Sequence, residues 1–199
     1  MPVPEPITNS EKNSITIAAA NTGKDNWEWK CLLSTFDKVN WQIRNRRLTL
    51  LIFGEEFGFD RNASIDARFV GMSSREKTEE ILSAADIMYC SQSFEPKFAS
   101  RTRKHWPPEL ALFLKSGRPT VFHGPSYAAP VKFLKQHHAA VLCHSCEPVS
   151  VELYNCFDRL LFDADFYRET AEHGRQAAKQ ELITSISNEH LKHCVKPND

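Results

Sequence analysis

Short apolar runs alternate with amphipathic stretches along most of the chain. Ser14–Ala20, Leu48–Phe53, Ala67–Val70, Ile87–Cys90, Thr120–Phe122 and Ala139–Cys143 are brief, mostly apolar and bounded by polar or turn-forming residues. That is how strands buried on both faces read. Between them, Asn26 to about Arg44 places Trp29, Leu32, Leu33, Phe36 and Val39 near a helical period, which predicts a helix lying across the sheet. Ser73 followed by Glu76 is a capping box for a helix ending near Ala85,. Trp106-Pro107-Pro108 starts another helix, because proline fits a first turn where its missing amide hydrogen costs nothing,. Its apolar stripe is Leu110, Phe113 and Leu114, and Gly117 ends it before Arg118-Pro119 turns the chain,. Pro130–His137, Val149–Phe162 and Phe166 to about His193 read as further helices.

Strands alternating with helices imply a parallel sheet with right-handed crossovers, an α/β, Rossmann-like domain of three layers. The domain is expected to span residues 14–195, with residues 1–13, polar and rich in proline, as a disordered lead or the remnant of a linker,. In such a sheet ligands sit outside the carboxyl ends of the strands. The loop Ser91–Trp106, the helix start at Pro108, Glu109 and Leu110, and the loop His123, Gly124, Pro125 and Ser126 therefore converge on one crevice.

Composition narrows the classes. The 199 residues carry 25 basic and 25 acidic side chains, so no global field attracts nucleic acid or an anionic membrane. The longest apolar runs fall far short of the ~20 residues that span a bilayer, and Pro2, Pro4, Glu5 and Pro6 stand where a signal peptide would need basic and apolar residues,. Six scattered cysteines read as reduced thiols,. A cytoplasmic protein without a transmembrane segment and without nucleic-acid partners is expected.

Several motifs bear on chemistry. Cys143-His144-Ser145-Cys146, close after His137-His138, has the spacing of a zinc or redox knuckle, yet no second Cys-x-x-Cys follows, and Cys156 and Cys194 stand alone. Packing is the commoner role for a cysteine ending a buried strand, so no metal is expected. Neither a G-x-G-x-x-G after the first strand nor a P-loop occurs, which disfavours dinucleotide oxidoreductases and P-loop enzymes. Ser126 lies in Gly-Pro-Ser-Tyr, without the elbow a hydrolase nucleophile requires. His123, at a strand end, either bonds a phosphate or is a satisfied structural histidine. Arg101, Arg103 and Lys104 form a basic cluster that either clamps phosphate or is solvated,.

AADIMYC, WPPELALFL, SGRPTVFHGP and the later GRQAAKQ, in that order and spacing, resemble the donor-binding half of GT-B glycosyltransferases, in particular the large group 1 family of retaining enzymes. The resemblance runs from about Ser14 to about Lys179. It implies one half of a GT-B architecture that binds a nucleotide-diphosphate sugar as co-substrate, with no separate cofactor. It also implies that Lys24, in the loop Asn21-Thr22-Gly23-Lys24, holds donor phosphates, where the residues by themselves read equally as a turn with a solvated lysine,; Gly23, Gly71 and Gly124-Pro125 are counted with it among the donor-binding residues. The matching helix of relatives starts Phe-Pro-Ser-Lys-Leu, whereas this chain has Glu109 in place of the lysine and Leu112 in place of the glutamate that binds the donor ribose. The sugar-facing glutamate of many relatives is also missing, with Glu95 and Glu109 the nearby acids. The two-domain reaction of the family implies a separate acceptor-binding half as partner. No residue here is assigned a catalytic role, and a noncatalytic, degenerate binding module is the alternative.

Overall fold

The computed structural model describes residues 12–20, 26–53, 66–70 and 75–194. The lead before Lys12, the phosphate-loop candidates Gly23 and Lys24, the turn residue Gly71 and the capping residue Ser73 lie outside the described residues.

Seven strands form one sheet among the described residues: β1 (Ser14–Ala20), β2 (Gln42–Ile43), β3 (Arg46–Phe53), β4 (Asp66–Val70), β5 (Ile87–Ser91), β6 (Thr120–His123) and β7 (Val141–Cys143). The order is β2-β3-β1-β5-β6-β7, with β4 also on β3, and every pairing is parallel except β2 with β3. Alternation along the strands then builds two cores, because successive side chains point to opposite faces. Ile15, Ile17, Ala19, Ile87, Tyr89 and Val121 face one side, against α1 (Trp27–Lys38) and α6 (Val151–Phe162). Ala18, Met88, Cys90 and Phe122 face the other, against α2 (Arg75–Ala84), α4 (Leu110–Lys115), α5 (Val131–Gln136) and α7 (Ala164–Cys194). This is the expected three-layer Rossmann-like arrangement.

Two local features depart from the sequence pattern. The first helix stops at Lys38, because Asn40 and Trp41 take left-handed backbone (φ 52° and 55°). Such backbone is costly for a bulky residue. It is compensated here by burial of the Trp41 ring edge-on to Phe36 and by an indole hydrogen bond to Asp37 of 2.6 Å. Arg44 and Asn45, both at positive φ, then make the two-residue turn of a β2–β3 hairpin,. The second departure is α3 (Ala99–Lys104), a short helix inside the expected loop between β5 and α4. Gly117, at φ 73°, ends α4 as expected,.

Asp86 ties the middle of the sheet together. Its carboxylate accepts the Thr16 amide at 2.7 Å and Lys12 Nζ at 2.6 Å, and its carbonyl accepts the buried Tyr167 hydroxyl at 2.7 Å. The residue that closes the Ala-Ala-Asp stretch thus joins β1, β5 and α7.

Candidate functional site

A cleft of about 620 Å³ opens at the carboxyl ends of β1 and β5. Its walls are the start of α1 (Asn26, Glu28), the end of β5 and following residues (Ser91, Gln92, Ser93), α3 with its flanks (Phe98, Arg101, Thr102, His105) and the approach to α4 (Trp106 to Glu109). Gln92 holds this wall in place. Its side-chain amide donates to the carbonyls of Thr102 (3.3 Å) and His105 (2.6 Å), its own amide donates to His123 O (2.9 Å), and Thr102 Oγ1 returns a bond to Ser93 O (3.3 Å). A segment that reads as an irregular loop is therefore a fixed wall.

Among the described residues that line it, the cleft carries two carboxyl groups, Glu28 and Glu109, and one arginine, Arg101. Glu28, in the first turn of α1, is 1% exposed, and neither of its oxygens completes a hydrogen bond. Burial raises its pKa, against the partial help of its own and Phe94's amides and of His123,. Burial likewise raises the pKa of Glu109, whose Oε1 is 4.0 Å from the Cys90 thiol. Arg101, in α3, is exposed and lines the same cleft. Of the basic cluster, Arg103 instead lies over the Tyr127 ring at 4.0 Å. Glu95 pairs with Lys97 at 2.6 Å.

The candidate residues are distributed unevenly around this cleft. Pro108 and Glu109 line it. Leu110 turns inward and is fully buried in the core. α4 has six residues and the amide of Leu110 bonds Pro107 O, so its amino end contributes little dipole. His123 is fully buried, with Nδ1 2.7 Å from the Tyr89 hydroxyl and Nε2 2.8 Å from Ser145 O. The Gly124 amide donates to Cys143 O (3.1 Å) and its carbonyl accepts from His144 Nδ1 (2.7 Å). A Cβ at Gly124 would stand 3.1–3.3 Å from Phe122 and Gln92, so glycine permits the close approach of β6 to the Gln92 wall. Pro125 O accepts the Ala128 amide, and Ser126 is exposed. Among the described residues, none of 123–126 lines the cleft. Its acid Glu28 has no counterpart in the sequence reading. The available signal was its place at i relative to Leu32 and Thr35, on the buried side of α1,.

Behind Glu28, and outside the cleft, the side chains of Cys31, His123 and Cys146 come together, with one potential ligand atom from each lying within 4.8 Å of the others. The hydrogen bond with Cys146 holds the Cys31 thiol down to about 5 against burial, helped by His123, and the same bond pushes Cys146 up. Cys143 is elsewhere, beside Cys156, which together with burial pushes its thiol up.

No protein-family model matches the chain, and no curated protein matches it. Solved structures do. HepE of Anabaena, in complex with UDP-glucose, is 14% identical with a TM-score of 0.63 over 91% of this chain and 49% of its own. Sucrose-phosphate synthase of Thermosynechococcus elongatus is 15% identical with a TM-score of 0.58 over 98% and 46%. The glycosyltransferase SnogD of Streptomyces nogalater is 17% identical with a TM-score of 0.53 over 89% and 41%. The chain has the fold of one GT-B half. The chain spans about half the length of the solved structures it matches. The likeness, at these identities, is one of fold. Among the described residues of this half, no helix is long and apolar enough to cross a membrane.

Proposed function

We propose that this GT-B half binds the nucleotide of a nucleotide-diphosphate sugar and acts as the donor-binding half of a glycosyltransferase. The cleft at the carboxyl ends of β1 and β5 carries the reading, since open parallel sheets bind ligands there,. The amino end of α1, with twelve residues, supplies a dipole for the diphosphate, and Arg101 supplies the facing charge. Phe98 and Trp106 offer aromatic faces to the base,. Glu28 and Glu109 line the same cleft, and burial raises the pKa of each carboxyl,. Lys24 adds a second cation by the family resemblance.

Transfer also needs the acceptor hydroxyl held against the donor carbon, and in the family that surface belongs to the other half. A separate acceptor-binding half is accordingly part of the proposal, as is a cytoplasmic site of action. No metal or cofactor takes part in this reading. A second reading, a noncatalytic module, is favoured by Leu112, which cannot accept a ribose hydrogen bond.

Calorimetric titration of the folded chain with UDP, GDP and ADP tests the proposal. Saturable binding of one nucleotide, weakened by Arg101→Ala, is the expected result and names the donor class. Absence of binding by all three from a folded sample overturns the donor-binding reading.

A further inference from the structure

We propose that Cys31, His123 and Cys146 form a zinc site behind the cleft, with the Glu28 carboxylate as fourth ligand. The four residues come from separate parts of the fold: Glu28 and Cys31 from α1, His123 from the end of β6, and Cys146 from the segment after β7. The three ligand atoms already lie within 4.8 Å of one another. In a tetrahedral zinc site with Zn–S of about 2.3 Å and Zn–N of about 2.0–2.1 Å, neighbouring ligand atoms stand about 3.5–3.8 Å apart, so no edge must contract by more than about 1.3 Å. Two thiols and an imidazole are the donors that soft or borderline cations select, and zinc is the divalent ion such a set commonly holds.

The surroundings of His123 suit a ligand. Ser145 O can only accept, so Nε2 carries the proton and Nδ1 presents its lone pair,. A ring nitrogen donating to a backbone carbonyl while the other faces the ion is the usual outer arrangement of zinc-bound histidine. Nδ1 is occupied by the Tyr89 hydroxyl at 2.7 Å, but that hydroxyl has a second acceptor in Glu28 O at 3.4 Å. It turns to that carbonyl when zinc takes Nδ1.

Glu28 supplies the independent sign that a ligand belongs here. It is 1% exposed, and neither oxygen completes a hydrogen bond of good geometry, its own and Phe94's amides giving only partial help, an arrangement that is costly unless a cation or donor completes it. Its carboxylate is close enough to interact electrostatically with both His123 and Cys146. Zinc entering by way of half-buried Cys146 displaces to solvent whichever protons its donors still carry and leaves two thiolates, one carboxylate and a neutral imidazole around the ion. The sequence motif contributes only its last residue, since Cys143 donates to Ser145 O at 3.7 Å and His144 Nδ1 to Gly124 O.

The test uses the full chain, reduced and stripped of metal, titrated with Zn2+ and with Co2+ as a spectroscopic substitute. One equivalent of zinc is expected, together with a thiolate-to-cobalt charge-transfer band and the strong visible absorption of tetrahedral cobalt. Cys146→Ser, at a half-buried position and checked for folding by circular dichroism, should lose most of the charge-transfer band. It should also weaken zinc binding by more than the roughly 10–100-fold typical of an outer-shell change. Cys156→Ser should keep both. Glu28→Gln should keep the charge-transfer band but change the visible absorption, and an unchanged spectrum would remove Glu28 from the ligand set. The proposal is overturned if the folded, reduced chain binds no stoichiometric zinc. It is equally overturned if the cobalt band survives Cys146→Ser, or if the thiols are found joined in a Cys31–Cys146 disulfide with an intact mass lower by two hydrogens.

Discussion

Glu28→Gln separates a burdened buried acid from a well-accommodated one. In the metal-free protein the Glu28 carboxyl is buried without a completed hydrogen bond, and burial raises its pKa above the ordinary 4.5. The folded state therefore binds this proton more tightly than the unfolded chain does. The stability linked to it is fully present below about pH 4.5 and is lost as the pH rises toward the folded value, at about 1.4 kcal/mol per pH unit. Glutamine has nearly the same shape and no titration. The variant should match the parent at acid pH and exceed it increasingly toward neutrality. The gain is bounded by the cost of leaving a buried polar group unsatisfied, about 1–3 kcal/mol. For a chain of this length each kcal/mol moves Tm by about 2–4 °C, so the expected gain near neutral pH is about 2–12 °C. Thermal unfolding followed by circular dichroism across pH 4.5 to 7.5, in the presence of a chelator, reads it. A variant destabilised by the same amount at every pH would refute the reasoning, because it would show that the carboxylate has a native partner worth more than its burial costs.

Asp86→Ala should destabilise by about 2–4 kcal/mol in denaturant titration, because it strands the Thr16 amide and removes the partner of Lys12,. Most of that loss belongs to the amide, since Lys12 is 39% exposed and a solvated pair contributes under about 1 kcal/mol,. Tyr167→Phe removes the bond to Asp86 O and should cost about 0.5–1.5 kcal/mol with the fold intact by near-ultraviolet circular dichroism,. Arg101→Ala should raise the dissociation constant for the bound nucleotide by about 3–10-fold, the small effect of an exposed cation, while leaving Tm unchanged. Nucleotide affinity should rise as pH falls, because a bound diphosphate favours the protonated forms of Glu28 and Glu109, and Glu28→Gln should flatten that dependence in calorimetry,.

Most of the sheet was legible because β1, β5, β6, β7 and the second half of β3 are short, mostly apolar runs flanked by turn residues. Gly117 and the double proline at 107–108 likewise marked the limits of α4 in advance. The hairpin at 42–47 escaped because Trp41 and Ile43 extend the apolar rhythm of α1. What breaks the helix is left-handed backbone at Asn40 and Trp41, stabilised by tertiary burial that no local pattern encodes. α3 escaped for the opposite reason. Its six residues, Ala-Ser-Arg-Thr-Arg-Lys, carry no apolar stripe, and it is held by Gln92 and by the Ala129 amide on Thr102 O.

The site divides along the same physical line. Residues set by chain order, such as Pro108 and Glu109 at the approach to α4, reach the cleft because an α/β crossover must deliver the helix start to the carboxyl end of the sheet,. His123 is delivered to the same end by β6, yet its partners are Tyr89 one strand away and Ser145 beyond the next strand, so its inward orientation depends on the order β5-β6-β7 rather than on its neighbours in sequence. Cys31 and Cys146, 115 positions apart by their numbers, meet for the same reason: α1 packs on the sheet face that β6 and β7 complete. A motif search weighs Cys146 with Cys143, three residues before it. The fold turns those two thiols toward different partners, and only the folded topology sets Cys146 beside Cys31 and His123.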